Sequence, residues 1–282
     1  MTGAGSMTMG CTMGRANGRI EERFAALAAQ RRAALIPFLT AGDPDLEATP
    51  ELVLAAEAGG ADLIELGVPF SDPMADGPTL QRAYERALRA GTTLPRILEI
   101  VSRVRACSAI PIVLFGYYNP FLRYGLEPFV RDALAAGVDG VLCVDLPPEE
   151  AAEFIAVAEP AGLDLVFLLA PTSGPSRIRA VTAVSRGFVY VVSVTGVTGA
   201  RDRLPETVRG LVGAVKARTS LPVAVGFGIS MPAQAAWVAS FADAAVVGSA
   251  LADLIERHRD RLSLAARVEQ FVRDLRDAMD GR

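Results

Sequence analysis

The amino-acid sequence predicts a (β/α)8 barrel, and three observations support this fold. Eight short apolar runs rich in β-branched residues recur along the chain, separated by segments of helical composition. Continuous apolar runs are typical of parallel strands that are buried on both faces. Several helical segments end in Gly just before the next run, where a helix C-terminus is expected. Eight strand–helix units in about 250 residues match the size of such a barrel.

The first half of the chain supplies four of the strands. We expect one additional helix over 17–31, before the first strand, and another over 94–106, before the third. Between the strands, segments such as "ATPELVLAAEAGG" and "PFVRDALAAGV" have the Ala-rich composition of helices. The four apolar runs are 34–39 "ALIPFL", 62–66 "DLIEL", 111–115 "PIVLF" and 140–144 "GVLCV".

The second half repeats the pattern. Helical segments such as "PEEAAEFIAVAEPAG" and "PSRIRAVTAVS" separate the strands, and a long helix over 263–279 carries apolar residues at helical spacing. We expect the three additional helices to plug the barrel ends or pack on the outside. The remaining apolar runs are 163–169 "LDLVFLL", 187–193 "GFVYVVS", 222–226 "PVAVG" and 244–248 "AAVVG".

The alternative fold is a doubly wound open sheet, although no GxGxxG motif follows the first strand to support it. A chain of 282 residues fits one large domain or two small ones. Residues 1–16 lack the positive n-region and the apolar h-region of a secretory signal, so we interpret them as a flexible tail. The prediction is therefore a single barrel domain over 17–282.

Composition limits the classes of function. Hydrophobic residues make up 51% of the chain, which is enough for a sizeable core, and no apolar run has the length of a transmembrane helix. With 28 basic and 32 acidic residues and no basic block, nucleic acid and anionic membranes are poor partners. Three scattered cysteines, Cys11, Cys107 and Cys143, suit a reduced cytoplasm. We predict a cytoplasmic protein.

The scarcity of His and Lys narrows the chemistry. The only histidine is His258 and the only lysine is Lys216, and both lie in helix-like contexts where a solvated surface role is expected. A Ser-His-Asp relay, a His-ligated metal and a Lys Schiff base are therefore hard to build. We predict no metal site, and any chemistry must depend mainly on carboxylates, hydroxyls and backbone amides.

Glycine-rich turns follow the last three strands. Residues 226–230 "GFGIS" end the seventh strand, and 248–250 "GSA" end the eighth and open a helix. Barrels often bind phosphate there, because backbone amides at a helix N-terminus face the anion; the alternative is a set of tight turns. The loop 193–204 after the sixth strand is long, so it is either a lid over the site or a solvated loop.

Several carboxylates lie near the predicted mouth of the barrel. Glu65 is at the end of the second strand between apolar neighbours, where burial would raise its pKa toward a range useful for proton transfer. Asp76 lies in the next loop, which can fold back over the mouth. Asp72 and Asp43 fit turn or N-cap positions, and Asp145 could orient a loop. Structural roles stay open for all five, and either a lyase or an isomerase acting on a phosphorylated small molecule would fit.

Several long motifs resemble those of one known family, the tryptophan synthase alpha subunits. They are "IPFLTAGDPD", "ELGVPFSDPMADGPTLQ", "PIVLFGYYNPFLRYG", "GVLCVDLPPEE", "YVVSVTGVTGARDRLP", "GFGIS" and "VVGSA". They occur in the family's order, and the resemblance covers the chain from about residue 20 to its end.

The resemblance implies a retro-aldol cleavage of indole-3-glycerol phosphate into indole and glyceraldehyde 3-phosphate. It assigns general acid–base catalysis to Glu65, and to Asp76 the binding of the indole N–H and stabilisation of the protonated ring. No cofactor is implied for this chain, since pyridoxal phosphate belongs to the beta subunit. The alternatives are a stand-alone lyase that releases free indole and a weakly catalytic, ligand-binding regulatory subunit.

The resemblance also implies roles for other positions. Phe38 would line the indole pocket, while Tyr117 and Tyr190 would flank the centre, with a hydrogen bond from Tyr190 to Glu65 as one expectation. Where the family often has methionine, this chain has Phe115, which exchanges one large apolar side chain for another. Thr198 would belong to the lid and bond Asp76 on closure. The residues expected to hold the phosphate are Gly199, Gly228, Gly248 and Ser249.

The resemblance further implies a complex with a beta subunit in an αββα assembly, to which indole is passed. Two loops, "FSDPMADGP" and "YYNPFLRYG", would lie at the contact, and they offer Phe70, Met74, Pro120 and Phe121 as apolar surface. The same residues could instead cover the substrate pocket.

Overall fold

The computed structural model describes residues 18–192, 206–226, 228–258 and 261–281. Within these ranges, eight parallel strands follow one another around a closed barrel, and the first pairs with the last. The predicted (β/α)8 fold is confirmed, and the open-sheet alternative is wrong. The strands are β1 (Ala34–Thr40), β2 (Ile64–Gly67), β3 (Ile112–Gly116), β4 (Gly140–Cys143), β5 (Asp164–Leu169), β6 (Val189–Val192), β7 (Val223–Gly226) and β8 (Ala244–Val247).

Helices surround the barrel, and the three additional helices are present as α1, α4 and α12. No described helix combines the length and the apolar character needed to cross a membrane. Residues 1–16, predicted as a tail, lie outside the described residues. The helices are α1 (Arg19–Ala29), α2 (Ala48–Ala58), α3 (Pro78–Arg89), α4 (Leu94–Arg105), α5 (Tyr118–Tyr124), α6 (Leu126–Ala136), α7 (Ala152–Ala161), α8 (Pro175–Val184), α9 (Thr207–Lys216), α10 (Pro232–Ala239), α11 (Ser249–Arg257) and α12 (Arg261–Met279), with a 3-10 turn at Pro148–Glu150.

The apolar strands serve two cores. In β1, Ile36 and Phe38 belong to the cluster inside the barrel, whereas Leu35 and Leu39 belong to the cluster between the strands and the outer helices. This alternation explains why the strand sequences are apolar throughout, since both faces of the sheet are covered. Helix α1 contributes to the inner cluster, and Phe24 packs on Phe188 with ring centroids 5.8 Å apart. The expectation of a barrel plug is confirmed for α1.

Helix α5 replaces part of a predicted loop. Its first amide, Tyr118 N–H, donates to Asp145 Oδ1 at 2.7 Å, so the carboxylate after β4 satisfies a helix N-terminus that has no partner of its own. Phe121 of this helix is fully buried against Phe129 and Phe154. The prediction that Phe121 offers apolar surface to a partner is therefore wrong, because this ring belongs to the outer core.

Aspartates at the N-terminal ends of three strands tie the barrel to its helices. Each accepts a backbone N–H from the start of the preceding strand and also pairs with a cation from a surrounding helix, namely Arg276, Arg105 or Lys216. The backbone bonds run from Leu35 to Asp62 (3.0 Å), from Ile112 to Asp139 (2.8 Å) and from Val223 to Asp243 (2.8 Å).

Asp139→Ala is expected to lower the free energy of unfolding by about 3–5 kcal/mol, because it leaves two guanidinium groups and a buried amide without their partner. Asp139 is fully buried and contacts Arg19 at 2.6 Å and Arg105 at 2.7 Å. Urea denaturation measures the effect. The matched control is Glu85→Ala, which breaks an exposed pair with Arg89 and should cost about 0.5 kcal/mol or less. Equal midpoints for the two variants would contradict the role of Asp139.

Candidate active site

Glu65 lies inside the mouth of the barrel. The parallel register places it beside Phe38 of β1 and Val113 of β3, and both of these side chains belong to the inner cluster. Glu65 is fully buried, and neither carboxylate oxygen has a hydrogen-bond partner among the described residues. Burial therefore raises its pKa to about 8. At neutral pH this carboxyl is mostly protonated, so it can both donate and accept a proton.

Tyr190 lies near Glu65 without bonding it. A Cβ at Gly226 would lie 1.8 Å from the Tyr190 hydroxyl, so the phenol is directed at the backbone of β7. The hydrogen bond expected from Tyr190 to Glu65 is therefore not formed in this structure. Burial, and then the charges of Glu65 and Asp76, hold the pKa of Tyr190 well above its usual value. The phenol stays protonated beside the two carboxylates.

Asp76 folds back over the mouth and is held by Tyr117. The Tyr117 hydroxyl accepts a hydrogen bond from Ala75 N–H at 2.9 Å and donates to Asp76 Oδ2 at 2.6 Å. Gln81 of α3 donates to the backbone carbonyl of Asp76 at 2.8 Å. Asp76 is 1% exposed; burial raises its pKa to about 6, and the Tyr117 hydrogen bond opposes that rise. Its carboxylate is mostly ionised at neutral pH, unlike that of Glu65.

The other acidic residues near the mouth have structural partners. Asp43 is 1% exposed and accepts two hydrogen bonds from Arg86 of α3, at 2.7 and 2.8 Å. This pair ties α3 to the loop after β1. Asp72 is exposed and accepts a hydrogen bond from its neighbour Ser71 at 2.5 Å. Of the five carboxylates singled out from the sequence, Glu65 and Asp76 are the two buried ones whose pKa is raised by burial.

A narrow apolar cavity adjoins Glu65. Phe38 and Phe115 meet edge to face there, with ring centroids 5.2 Å apart, and a Cβ at Gly67 would lie 2.4 Å from the Phe38 ring. The cavity holds about 30 Å³, roughly the volume of one water molecule, so a larger ring enters only when lining side chains rotate. Its character is aromatic, with Glu65 as its one carboxylate. The cavity is lined by Phe38, Glu65, Leu80, Phe115, Tyr190, Gly228, Val246, Gly248 and Ser249.

A wider cavity of about 490 Å³ shares Gly228 and Ser249 with the first. Ser249 is the first residue of α11, where backbone amides face outward and favour an anion, and Gly228 has a φ of +82° that favours glycine. His258 also lines this cavity, whereas Lys216 is exposed and pairs with Asp243 at the opposite end of the barrel. Thr198 and Gly199, with the predicted lid 193–204, lie outside the described residues.

Helix α3 contributes two residues that the sequence analysis missed. Leu80 lines the narrow cavity, and Tyr84, one turn later on the same helix face, is 1% exposed. The signal in the sequence was the spacing of Leu80, Ala83, Tyr84 and Ala87, which is typical of a buried helix face directly after Asp76. Among the described residues, no group of three or more His, Cys, Asp or Glu side chains is arranged to hold a metal ion.

Known proteins resemble this chain over nearly its full length. A family model described as tryptophan synthase alpha chain matches residues 24–280. A tryptophan synthase alpha chain of Geobacter sulfurreducens is 59% identical over 261 residues, which is 93% of this chain and 98% of the relative. One of Geotalea daltonii is 60% identical over 240 residues, 85% of this chain and 91% of the relative.

Solved structures agree with the sequence relatives. Tryptophan synthase subunit alpha of Legionella pneumophila superposes with a TM-score of 0.87 at 37% identity, covering 94% of this chain and 99% of that one. A chain of Mycobacterium tuberculosis tryptophan synthase gives 0.84 at 42% identity, covering 92% and 98%. Because the family model, the relatives and the fold coincide over a barrel that places Glu65 and Asp76 at its mouth, the chain belongs to the tryptophan synthase alpha chain family.

Proposed function

We propose that this chain cleaves indole-3-glycerol phosphate to indole and glyceraldehyde 3-phosphate, with Glu65 and Asp76 as its catalytic residues. As a member of its family it is a carbon–carbon lyase. The observation that supports the residue roles is the pairing of two carboxyls with opposite protonation states. Glu65, with a pKa of about 8, adjoins the aromatic cavity, and Asp76, with a pKa of about 6, lies above it.

The proton transfers that the reaction needs can be carried out by these two groups. Protonated Glu65 donates to indole C3, and the ionised carboxylate of Asp76 stabilises the positive charge that develops at the ring N–H. The Glu65 carboxylate then accepts the proton of the glycerol hydroxyl on the carbon attached to C3. As that carbon becomes a carbonyl, the breaking C–C bond returns its electron pair to the ring and restores neutral indole. Glu65 ends the cycle protonated, as it began.

The remaining parts of the substrate have matching surroundings. Phe38 and Phe115 form the walls that would enclose the indole ring once the narrow cavity widens. The phosphate would lie at Gly228, Gly248 and Ser249, in front of the amides at the start of α11. By resemblance, Gly199 joins the phosphate site, Thr198 closes on Asp76, and Tyr117 and Tyr190 flank the centre. These assignments agree with a site that needs no cofactor in this chain, and pyridoxal phosphate is assigned to the partner subunit.

The rate constant kcat/KM is expected to follow a bell-shaped pH profile with limbs near pH 6 and pH 8. Activity falls below about 6 because Asp76 gains a proton, and it falls above about 8 because Glu65 loses the proton that it donates. Initial rates of indole release between pH 5 and 9 measure this, with Asp76→Asn as the control. A low-pH limb that persists in this variant belongs to the substrate phosphate, whose second pKa is also about 6. Activity that rises through pH 8 would contradict the assignment of Glu65.

A beta subunit is the proposed partner. Met74, in the loop that carries Asp76, is 90% exposed, and Phe70 of the same loop packs against Tyr117 with ring centroids 5.2 Å apart. A partner that covers Met74 would therefore act on the loop that orients Asp76. The decisive assay measures cleavage of indole-3-glycerol phosphate with and without a tryptophan synthase beta subunit. Full activity alone, without stimulation, would favour a stand-alone lyase, and no cleavage under either condition would leave only a regulatory subunit.

A further inference from the structure

Tyr84 carries a buried hydroxyl that the mechanism above does not use. The residue is 1% exposed in the middle of α3, and its hydroxyl has no hydrogen-bond partner in the part of the chain that the structure describes. A buried hydroxyl without a partner is costly, because it has lost its water without a replacement. Where phenylalanine would fill the same space at lower cost, a tyrosine indicates that the hydroxyl meets a partner in some state of the protein.

The position of Tyr84 on α3 favours an approach of its side chain to Asp76. Long side chains on a helix point back toward its N-terminus, and the N-terminus of α3 begins at Pro78, two residues after Asp76. Tyr84 belongs to the inner cluster together with Leu80 and Tyr117. Burial, and then the charges of Asp76, Tyr117 and Glu65 in that order, hold the pKa of Tyr84 well above its usual value. The protonated phenol therefore lies within electrostatic reach of both catalytic carboxyls, with Asp76 exerting the larger effect.

The carboxylate of Asp76 is a suitable acceptor for this hydrogen. Its Oδ2 accepts from Tyr117, and an ionised carboxylate has a second oxygen, Oδ1, that can accept a hydrogen bond as well. Within the described part of the chain, the titratable groups that interact with Asp76 include Tyr117 after β3, Tyr84 on α3 and Tyr190 on β6, and Glu65 on β2 acts on the same phenols. Tyr84 and Tyr117 belong to different elements, α3 and the end of β3, so each of them can donate to a different oxygen of Asp76.

We propose that Tyr84 is a further positioning residue for the reaction: with substrate bound, its hydroxyl donates to Asp76 Oδ1 while Tyr117 holds Oδ2. This inference rests on the proposed function, since it gives Asp76 the task of facing a cationic indole. Two phenolic donors fix the plane of the carboxylate and favour its ionised form. The carboxylate is then aimed at the ring nitrogen and stays charged when the substrate displaces water.

The test is Tyr84→Phe, which removes one oxygen and keeps the ring. We expect kcat/KM to fall about tenfold, with the larger part of the loss in kcat. The low-pH limb of kcat, which reports the substrate complex, should move upward by about one pH unit. The low-pH limb moves upward because Asp76 loses a hydrogen-bond donor, and a carboxylate with fewer hydrogen bonds has a higher pKa. The matched control is Tyr124→Phe, which removes a phenol that donates to Asp132 at 2.8 Å on the outside of the barrel. Its activity without partner should equal that of the parent chain.

Two further measurements separate this inference from the proposed function. In an Asp76→Asn background, Tyr84→Phe should change kcat/KM by about twofold or less, because both substitutions act on the same charge. If Asp76→Asn is nearly inactive but Tyr84→Phe alone leaves kcat/KM and the low-pH limb of kcat unchanged, Tyr84 is a passive core phenol and the inference is wrong. If Asp76→Asn itself retains normal activity, the catalytic role of Asp76 in the proposed function is wrong, whatever the result for Tyr84→Phe.

Discussion

Glu65→Gln is expected to abolish turnover while leaving the barrel and substrate binding nearly intact. The amide has the shape of the carboxyl, but it cannot donate a proton to indole C3 or take one from the glycerol hydroxyl. General acid–base groups contribute about 10²–10⁴-fold to rates, so kcat should fall by at least this range. The residues proposed to bind phosphate, Gly228, Gly248 and Ser249, follow β7 and β8 and would hold a part of the substrate on which Glu65 does not act, so the dissociation constant for the substrate should change little. Single-turnover indole release and calorimetric titration measure the two quantities.

The melting temperature shows whether the Glu65→Gln variant remains folded, and it is therefore the control. Glu65 is buried without a described hydrogen-bond partner, so the folded chain gains little from its carboxyl. The melting temperature of Glu65→Gln should therefore equal or exceed that of the parent chain. The gain should grow as the pH rises from 4.5, the ordinary pKa of the carboxyl, to about 8, and it should level off above pH 8, where Glu65 is ionised in both the folded and the unfolded state. A variant with parent-like turnover would remove Glu65 from the mechanism, whereas an unfolded variant would contradict the account of its burial.

The position of Glu65 could be read from the sequence, but its environment could not. A carboxylate near the end of an apolar strand, with usable His and Lys missing, already indicated a group at the barrel mouth. Its complete burial depends on which strand face is turned inward and on Phe38 and Leu80, which reach it from β1 and α3. These contacts follow from register and helix packing, which a local pattern does not determine.

Asp76 illustrates the opposite limit. Its role came from the family resemblance, because the hydrogen bond that holds it joins residues 41 positions apart in the chain. The same limit applies to α5, whose first amide is bonded by Asp145, 27 positions away, and to Phe121, whose burial requires two other aromatic rings. Local patterns located all eight strands, yet they could not show which loops become ordered by partners that are distant in sequence. Tyr84 lies between these cases, since helical spacing marks its burial but not the direction of its hydroxyl.

Asp76→Asn is expected to lower kcat by about 10²–10³-fold, since a neutral amide stabilises a cationic ring far less than a carboxylate does. Asparagine keeps the size of the side chain and still accepts the hydrogen bond of Tyr117, so the loop should remain in place. The matched control is Asp72→Asn, an exposed carboxyl in the same loop, whose rate without partner should equal that of the parent chain.

The kinetic form of the Asp76→Asn loss is as informative as its size. The charge of Asp76 matters most when the ring becomes cationic, so the loss should lie in kcat and not in KM. The low-pH limb that reflects Asp76 should disappear as well. A loss confined to KM, reversed by raising the substrate concentration, would place Asp76 in ground-state binding and would leave the developing charge without a carboxylate. Proton transfer by Glu65 to C3 would then need another anion near the ring nitrogen. Among the described groups near Asp76, Tyr84, Tyr117 and Tyr190 have raised pKa values and remain neutral, so none could take its place.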